Sequence, residues 1–269
     1  MRILVTNDDG VASPGISALG RALADAGHDL LVLAPTSDRS GASAAIGRLH
    51  RSDPMPVVRE TWPELPDVPV YGIDAPPATA VYSACLGAFG SAPDLVAAGV
   101  NPGANTGHLV LHSGTVGAAL TASVLGIPAL AVSVQWADPP HFDTAAAVAA
   151  AAVDWVMDAA AGDDRPAPVL NVNAPDRALS ELRGVRDGRL APYGEVWVAT
   201  AEPSRDDLRL DYQGRESNLP SDTDLALLRE GYASVTRLIG VTEAPPADGP
   251  PPGPRSSPAA FIARALGLQ

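Results

Sequence analysis

Three short segments of the chain place oxygen-bearing side chains directly after an apolar run. The first carries two carboxylates, the second a hydroxyl and the third a side-chain amide. These residues are Asp8 and Asp9 after residues 2–6, Ser40 after residues 29–34, and Asn101 after residues 94–98. Such oxygens are hard ligands, the set that binds Mg²⁺, Mn²⁺ or Ca²⁺ rather than Zn²⁺. Each segment alone is an ordinary turn, but their joint appearance predicts a divalent-metal site.

A fourth segment is typical of a helix start that can bind an anion. Ser113, Gly114 and Thr115 precede a run of small residues. The N–H groups and the positive end of a helix attract phosphate. Ser113 or Thr115 is equally a good N-cap, so the alternative is that these residues only begin a helix. Beside a metal, the segment predicts a phosphate site.

The charge of the chain limits how such a site can work. The 269 residues include 31 acidic and 18 basic ones, giving a net charge of -13, and every basic residue is arginine. Lysine chemistry is therefore excluded, and scattered arginines on an acidic chain make a poor nucleic-acid binder. Positive charge for a phosphate must come from arginine, backbone N–H groups, a helix N-terminus or a metal.

The apolar runs also predict the elements that position these residues. Short continuous runs predict buried strands at 2–6, 29–34, 94–98, 129–133 and 168–173, with helices from about 115 to 125 and around 143–161. This alternation predicts an α/β fold with a parallel sheet covered on both faces. In an open sheet of this kind, ligands bind beyond the carboxyl ends of the strands, where the candidate residues lie.

After residue 183 the alternation of predicted strands and helices gives way to strands separated by turns. Strand-like stretches at Glu195–Thr200, Leu208–Tyr212 and Ala233–Ile239 are separated by turns. We therefore expect three parts: a core at 1–183, an antiparallel hairpin appendage at 184–240, and a tail at 241–269. Within the tail, the Pro/Gly-rich stretch 244–258 predicts a linker and the final residues predict a short helix.

Cysteine content and hydropathy predict a cytoplasmic protein. The single cysteine, Cys85, cannot form an internal disulfide, which favours an intracellular setting. The apolar N-terminal run is too short for a signal peptide, and no uncharged apolar run is long enough to span a membrane.

Taken together and in order, several motifs resemble the SurE survival-protein family over residues 1 to about 240. They are residues 3–10, 34–43, 99–105, 113–116, 170–175 and 223–236. The resemblance implies a Rossmann-like core and a swapped C-terminal hairpin that builds homodimers or homotetramers. It also implies a metal-dependent phosphatase that acts on nucleoside monophosphates, in the manner of a 5'-nucleotidase.

The resemblance assigns roles to individual positions. One divalent ion per subunit, Mg²⁺ or Mn²⁺, is expected at Asp8, Asp9, Ser40 and Asn101. Phosphate is expected at Asn105, Ser113, Gly114 and Thr115. Asp8 and Asp9 are the expected catalytic residues, with Asp8 serving as nucleophile or as acid/base. A metal there can polarise a phosphoryl oxygen, and the helix N-terminus can stabilise charge on the others.

Four departures from the family pattern are present. Leu109 stands where an acidic residue is usual, His112 replaces a tyrosine, Thr121-Ala122 replaces Glu-Gly, and residues 75–78 read Ala-Pro-Pro-Ala instead of Gly-Thr-Pro-Ala. The metal ligands are unaffected, so we expect retained phosphatase chemistry with an altered choice of substrate.

Two histidines in the loop before the helix are candidate proton donors to a leaving group. They are His108 and His112, and the alternative is that they merely replace other polar loop residues.

The sequence excludes two other classes of enzyme and leaves two alternative functions open. A haloacid-dehalogenase phosphatase needs Asp-x-Asp and a lysine, and a dinucleotide oxidoreductase needs a Gly-rich turn after the first strand. After the first strand Asp8 and Asp9 are adjacent rather than spaced, the chain has no lysine, and Asn7-Asp8-Asp9-Gly10 is not a Gly-rich turn. A phosphatase for a specialised biosynthetic ester remains open, as does a catalytically silent binding or assembly protein.

Overall fold

The computed structural model describes residues 1–47, 54–161, 166–204, 207–214 and 218–240. Its strands are β1 Arg2–Thr6, β2 Asp29–Pro35, β3 Val57–Trp62, β4 Leu65–Ile73, β5 Leu95–Pro102, β6 Ala129–Val134, β7 Val169–Ala174, β8 Val185–Asp187, β9 Val196–Pro203, β10 Leu208–Gly214 and β11 Ala233–Leu238. Nine of them form one sheet in the order β3-β4-β2-β1-β5-β6-β7-β11-β8, and β9 and β10 form a second. Within this order, the six neighbouring strands β4-β2-β1-β5-β6-β7 are all parallel to one another.

Helices cover both faces of the large sheet. They are α1 Pro14–Asp25, α2 Pro77–Cys85, α3 Gly114–Val124, α4 Phe142–Ala160 and α5 Asp224–Arg229. One apolar core joins α1 and α4 to the sheet, through residues such as Leu19 and Val153. A second core joins α2 and α3, through residues such as Val81 and Val116. The predicted α/β class is therefore confirmed.

Central strands are buried because they are apolar on both faces. Residues 3–6 of β1 and all of β6 and β7 are buried, as expected for strands between two helical layers. The five strands predicted in the core half of the chain are confirmed to within a few residues, except that β5 extends to Pro102. The antiparallel pair β3–β4 and helix α2 are additional elements that the sequence analysis did not predict.

One strand assignment was wrong. The stretch at 233–239 was expected in the hairpin appendage, but β11 pairs with β7 inside the large sheet and with β8 beyond it. The alternation of a strand shows that one face is buried but not which strand it pairs with. Among the residues that the structure describes, β9 and β10 alone form the separate antiparallel hairpin.

Two predictions about the organisation of the chain are not tested by the structure. The predicted linker and helix within 241–269 lie outside the described residues, and the division into three parts stays a prediction. In the part of the chain that the structure describes, no helix is long and apolar enough to cross a membrane.

Candidate active site

The candidate site lies where three neighbouring strands end. Strands β2, β1 and β5 are adjacent and parallel, so the segments that follow them lie along one edge of the sheet. Asp8 and Asp9 come after β1, and the Arg39 N–H donates to the Asp8 carbonyl at 2.7 Å, which joins the first two loops. Asn101 was expected beyond its strand but lies within β5, one residue before its end at Pro102.

Asp8 connects the sheet edge to the start of α3. Its side chain is only 2 % exposed. Oδ1 accepts a hydrogen bond from Thr115 Oγ1 at 2.5 Å, and Oδ2 accepts one from the Gly114 N–H at 3.1 Å. A Cβ at Gly114 would lie 2.6 Å from Asp8 Oδ2, so glycine is required for this contact. The structure thus brings one predicted metal ligand, Asp8, into contact with two predicted phosphate residues, Gly114 and Thr115.

The start of α3 has fewer N–H groups available than the sequence analysis expected. The Gly114 N–H is taken by Asp8, and Ser113 Oγ accepts from the Val116 N–H at 3.1 Å. The interpretation of Ser113 as an N-cap is therefore confirmed. The Asp8 carboxylate already lies at the positive end of the α3 helix. The helix by itself is therefore a weak binding site for a further anion such as phosphate.

Asp9 has a carboxyl group that is not fully satisfied by hydrogen bonds among the described residues. Its Oδ2 atom is buried and has no hydrogen-bond partner among the described residues. Burial, followed by the charges of Asp8 and Asp38, raises the pKa of Asp9 to about 7. Burial also raises the pKa of Asp8, against the lowering effect of Thr115. An orphaned oxygen beside a second carboxylate is what a divalent cation would stabilise, so these residues fit a metal.

The other two predicted ligands add neutral oxygens. Ser40 is exposed, and its hydroxyl donates to Asp38 Oδ1 at 2.6 Å. The Asn101 amide donates through Nδ2 to the Gly103 carbonyl at 2.7 Å, which leaves Oδ1 as its available acceptor. Among the described residues there is no group of three or more His, Cys, Asp or Glu side chains that could hold a metal. Two carboxylates with a hydroxyl and an amide suit a hard cation.

The nearby arginine does not neutralise these carboxylates. Arg39 lies in the loop after β2, but its guanidinium pairs with Asp74. Asp38 adds a third carboxylate that acts on both Asp8 and Asp9. The side chains at this edge therefore leave a net negative site, which a bound cation must offset before a phosphate can approach.

Asn105 is held by polar residues that the sequence analysis did not assign to the site. Its N–H donates to Asn173 Oδ1 at 2.7 Å, and its Nδ2 donates to Ser133 Oγ at 2.9 Å. Its carbonyl accepts from Asn171 Nδ2 at 2.8 Å. Asn171 and Asn173 alternate within the buried strand β7, and two buried amides on one face of an apolar strand are the signal that could have revealed them.

The two loop histidines are exposed. His108 lies in the 3-10 helix Gly107–Leu111, and His112 follows it directly. A separate cavity of about 1100 Å³ lies between α1 and α4, and its lining contains none of the predicted site residues. The chemistry is therefore expected at the sheet edge rather than in that cavity.

The fold and the site together define a class of protein. A mostly parallel sheet, with paired carboxylates at its carboxyl edge against a helix start, makes an α/β protein suited to bind a divalent cation and an anion. A family model described as "Survival protein SurE" matches residues 3–194. The chain belongs to that family, so the resemblance seen in the sequence is confirmed.

Individual relatives cover most of the chain. A protein named 5'-nucleotidase SurE from Methylococcus capsulatus is 39 % identical over 244 residues, which cover 88 % of this chain and 91 % of the relative. Another of that name from Stenotrophomonas maltophilia is 38 % identical over 249 residues, covering 88 % and 89 %. The crystal structure of a SurE protein from Aquifex aeolicus has a TM-score of 0.70 at 29 % identity, covering 88 % and 93 %.

Proposed function

We propose that this chain is a divalent-metal-dependent phosphomonoesterase that hydrolyses nucleoside monophosphates to nucleoside and phosphate. The names of its relatives support this activity. The observation that carries the proposal is the Asp8 carboxylate, bonded to the first turn of α3 and adjacent to the orphaned oxygen of Asp9. A catalytically silent protein is not favoured, because it has no need for such a costly pair of buried carboxylates.

One divalent ion per subunit, Mg²⁺ or Mn²⁺, is proposed at four side chains. Asp9 and Asp8 supply charged oxygens, while Ser40 and Asn101 supply neutral ones. When bound, the ion supplies positive charge that polarises a phosphoryl oxygen. The fit rests on the unpartnered Asp9 Oδ2 and on the hard-oxygen donor set.

The chain's own groups are proposed to orient the phosphate and move protons. Asn105 and the Ser113–Thr115 turn flank the phosphoryl group. Asp8 accepts the proton of the attacking water as the new P–O bond forms, and Thr115 holds its carboxylate in position. His108 and His112 are the proposed donors of a proton to the leaving oxygen as the ester bond breaks.

The departures from the family pattern are proposed to tune the substrate. Leu109 packs against Gly194, where a Cβ would lie only 2.3 Å from its side chain. Thr121 is buried in α3, and its hydroxyl donates to the Gly117 carbonyl at 2.7 Å. Both residues replace acidic side chains without touching the proposed metal ligands. A specialised phosphate ester is therefore the second candidate substrate class.

Phosphate release from a panel of esters tests the proposal. Protein freed of metal by a chelator is assayed on nucleoside monophosphates and on non-nucleotide phosphomonoesters, with Mg²⁺ or Mn²⁺ returned. We expect metal-stimulated release, with nucleoside monophosphates among the best substrates. A clear preference for a non-nucleotide ester would favour the second candidate.

We further propose that the β9–β10 hairpin builds a homodimer or homotetramer. A two-stranded sheet is marginally stable by itself. Leu208 and Leu210 lie on one face of β10, and they are 65 % and 42 % exposed. The double variant L208S/L210S is expected to have a smaller mass by light scattering than the wild type. Variant R209S, altered on the opposite face, is the control, and equal masses for all three proteins would contradict the proposal.

A cytoplasmic location is also proposed. The single cysteine supports it, since no internal disulfide can form. Burial raises the pKa of the Cys85 thiol to about 11, so little of it is in the reactive thiolate form near neutral pH.

A further inference from the structure

Asp224 is a fully buried carboxylate that has no part in the proposed chemistry. It is the first residue of α5 and is 0 % exposed. Its Oδ1 accepts from the Leu225 N–H at 2.8 Å and from the Ala191 N–H at 2.9 Å. Its Oδ2 accepts from the Gly107 N–H at 2.9 Å. The side chain therefore joins three separate segments of backbone, which is more than the capping of one helix requires.

Gly107 is one of these three contacts, and it begins the 3-10 helix that leads to the phosphate side of the site. Its φ of +54° is in the left-handed region, and a Cβ there would lie 2.2 Å from the Tyr193 carbonyl oxygen. The backbone at Gly107 therefore lies directly against residues 191–194, which lead into β9. Asp224 binds both sides of this contact.

The segment fixed by Asp224 lies between the two groups proposed to bind phosphate. Asn105 precedes Gly107 by two residues, and its backbone is bonded to Asn171 and Asn173 of β7. At the far end, the Leu111 carbonyl accepts from Ser43 Oγ at 2.8 Å, just before the start of α3. Gly107 is the anchor in between, so its displacement changes the spacing of the groups on either side.

We propose that Asp224 is a positioning residue for the phosphate-side loop, residues 105–113. Its carboxylate holds the Gly107 backbone against the base of the hairpin and thereby sets the distance between Asn105 and the start of α3. The proposal rests on the proposed phosphatase function for its kinetic consequence, but its structural consequence can be measured without any substrate. A buried carboxylate is a strong hydrogen-bond acceptor, so its bond to the Gly107 N–H restricts movement of the loop backbone.

The variant D224N separates the loop contact from the other two. Asparagine is the same size, and its Oδ1 can still accept from Ala191 and Leu225. Its NH₂ group then faces the Gly107 N–H, so a donor opposes a donor at that contact alone. We expect faster amide hydrogen exchange in the peptide covering residues 105–112, and a KM for the nucleoside monophosphate raised about tenfold or more. The affinity for Mg²⁺ should change by less than about threefold, because Asp8, Asp9 and Ser40 lie outside this loop.

Thr223 offers a matched control next to Asp224. It is buried, and its hydroxyl donates to the Pro220 carbonyl at 2.8 Å rather than to the loop. Variant T223V is expected to lose some stability while keeping wild-type exchange in 105–112 and a wild-type KM. A raised KM in T223V equal to that in D224N would mean that any weakening of this region has the same effect, and it would overturn the proposal.

Two further results would overturn it. One is wild-type exchange in 105–112 for D224N. The other is accelerated exchange with an unchanged KM and an unchanged affinity for inorganic phosphate in the presence of Mg²⁺. If the wild type hydrolyses no monophosphate, the proposed function fails, whereas exchange and phosphate binding still test the positioning role.

Discussion

Replacing Asp9 with asparagine is expected to abolish metal-dependent phosphate release, with kcat/KM lowered by about 10³-fold or more. Asparagine keeps the size of the side chain but removes the charge of the residue whose Oδ2 has no other partner among the described residues. The amide oxygen of asparagine can still coordinate a cation, as proposed for Asn101, but it carries no negative charge to offset that of the ion. Steady-state kinetics at saturating Mg²⁺ or Mn²⁺ measures the loss, and calorimetry of metal binding should show the same defect.

Asp94 provides a matched control for D9N. It accepts from the Arg2 N–H at 2.7 Å at the amino end of the strands, opposite the candidate site. Variant D94N is expected to retain kcat/KM within about threefold of the wild type. Full metal-dependent activity in D9N would contradict the proposed role of Asp9.

The stability of D9N is expected to show that its loss of activity does not come from unfolding. Burial and the neighbouring carboxylates raise the pKa of Asp9 to about 7 in the folded chain, well above the ordinary value for an aspartate. A carboxyl with a raised folded pKa stabilises the fold when protonated, so metal-free wild type loses stability as the pH rises towards about 7. The asparagine of D9N has no such titration, while Asp8 is present in both proteins. At about pH 8 the Tm of metal-free D9N is therefore expected to be at least that of the wild type.

Removing the metal is expected to abolish phosphate binding as well as turnover. Asp8, Asp9 and Asp38 act on one another as like charges, and Arg39 is paired with Asp74. A dianionic phosphate would meet this negative cluster, so we expect its affinity to fall by at least about 100-fold after chelation. Calorimetric titration with inorganic phosphate, before and after treatment with EDTA, measures this change.

The same titration on D9N supplies the internal comparison. With Mg²⁺ present, D9N should bind phosphate more weakly than the wild type, because it holds the ion poorly. Undiminished phosphate affinity in the chelated wild type would show that the helix start is sufficient as an anion seat. That result would contradict the requirement for a metal.

Local sequence was enough to predict the strand-end residues. Asp8, Asp9 and Ser40 follow apolar strands by a few residues, and the parallel order of those strands then brings their ends to one edge. The hydrogen bonds of Asp8 to the start of α3 join residues 106 and 107 positions apart, yet each partner was identified by its own local pattern. In both cases the residues belong to a short segment with a recognisable pattern of its own.

Contacts without such a signature were missed. The bond between Gly107 and Asp224 spans 117 positions, and neither residue has a neighbour that indicates the other. Strand β11 was misassigned for the same reason, since a single strand pattern does not name its pairing partner. The hydrogen bond by which Asp8 takes up a helix N–H group was also not predicted, because it depends on tertiary structure.

Phosphate release by the chelated wild type, with and without added Mg²⁺ or Mn²⁺, tests the central claim most directly. The assay uses nucleoside monophosphates and other phosphomonoesters, with D9N and D94N measured beside the wild type. The account predicts release from nucleoside monophosphates that requires the added metal and that D94N retains and D9N lacks. No metal-stimulated release from any ester, or equal release by D9N, would contradict it.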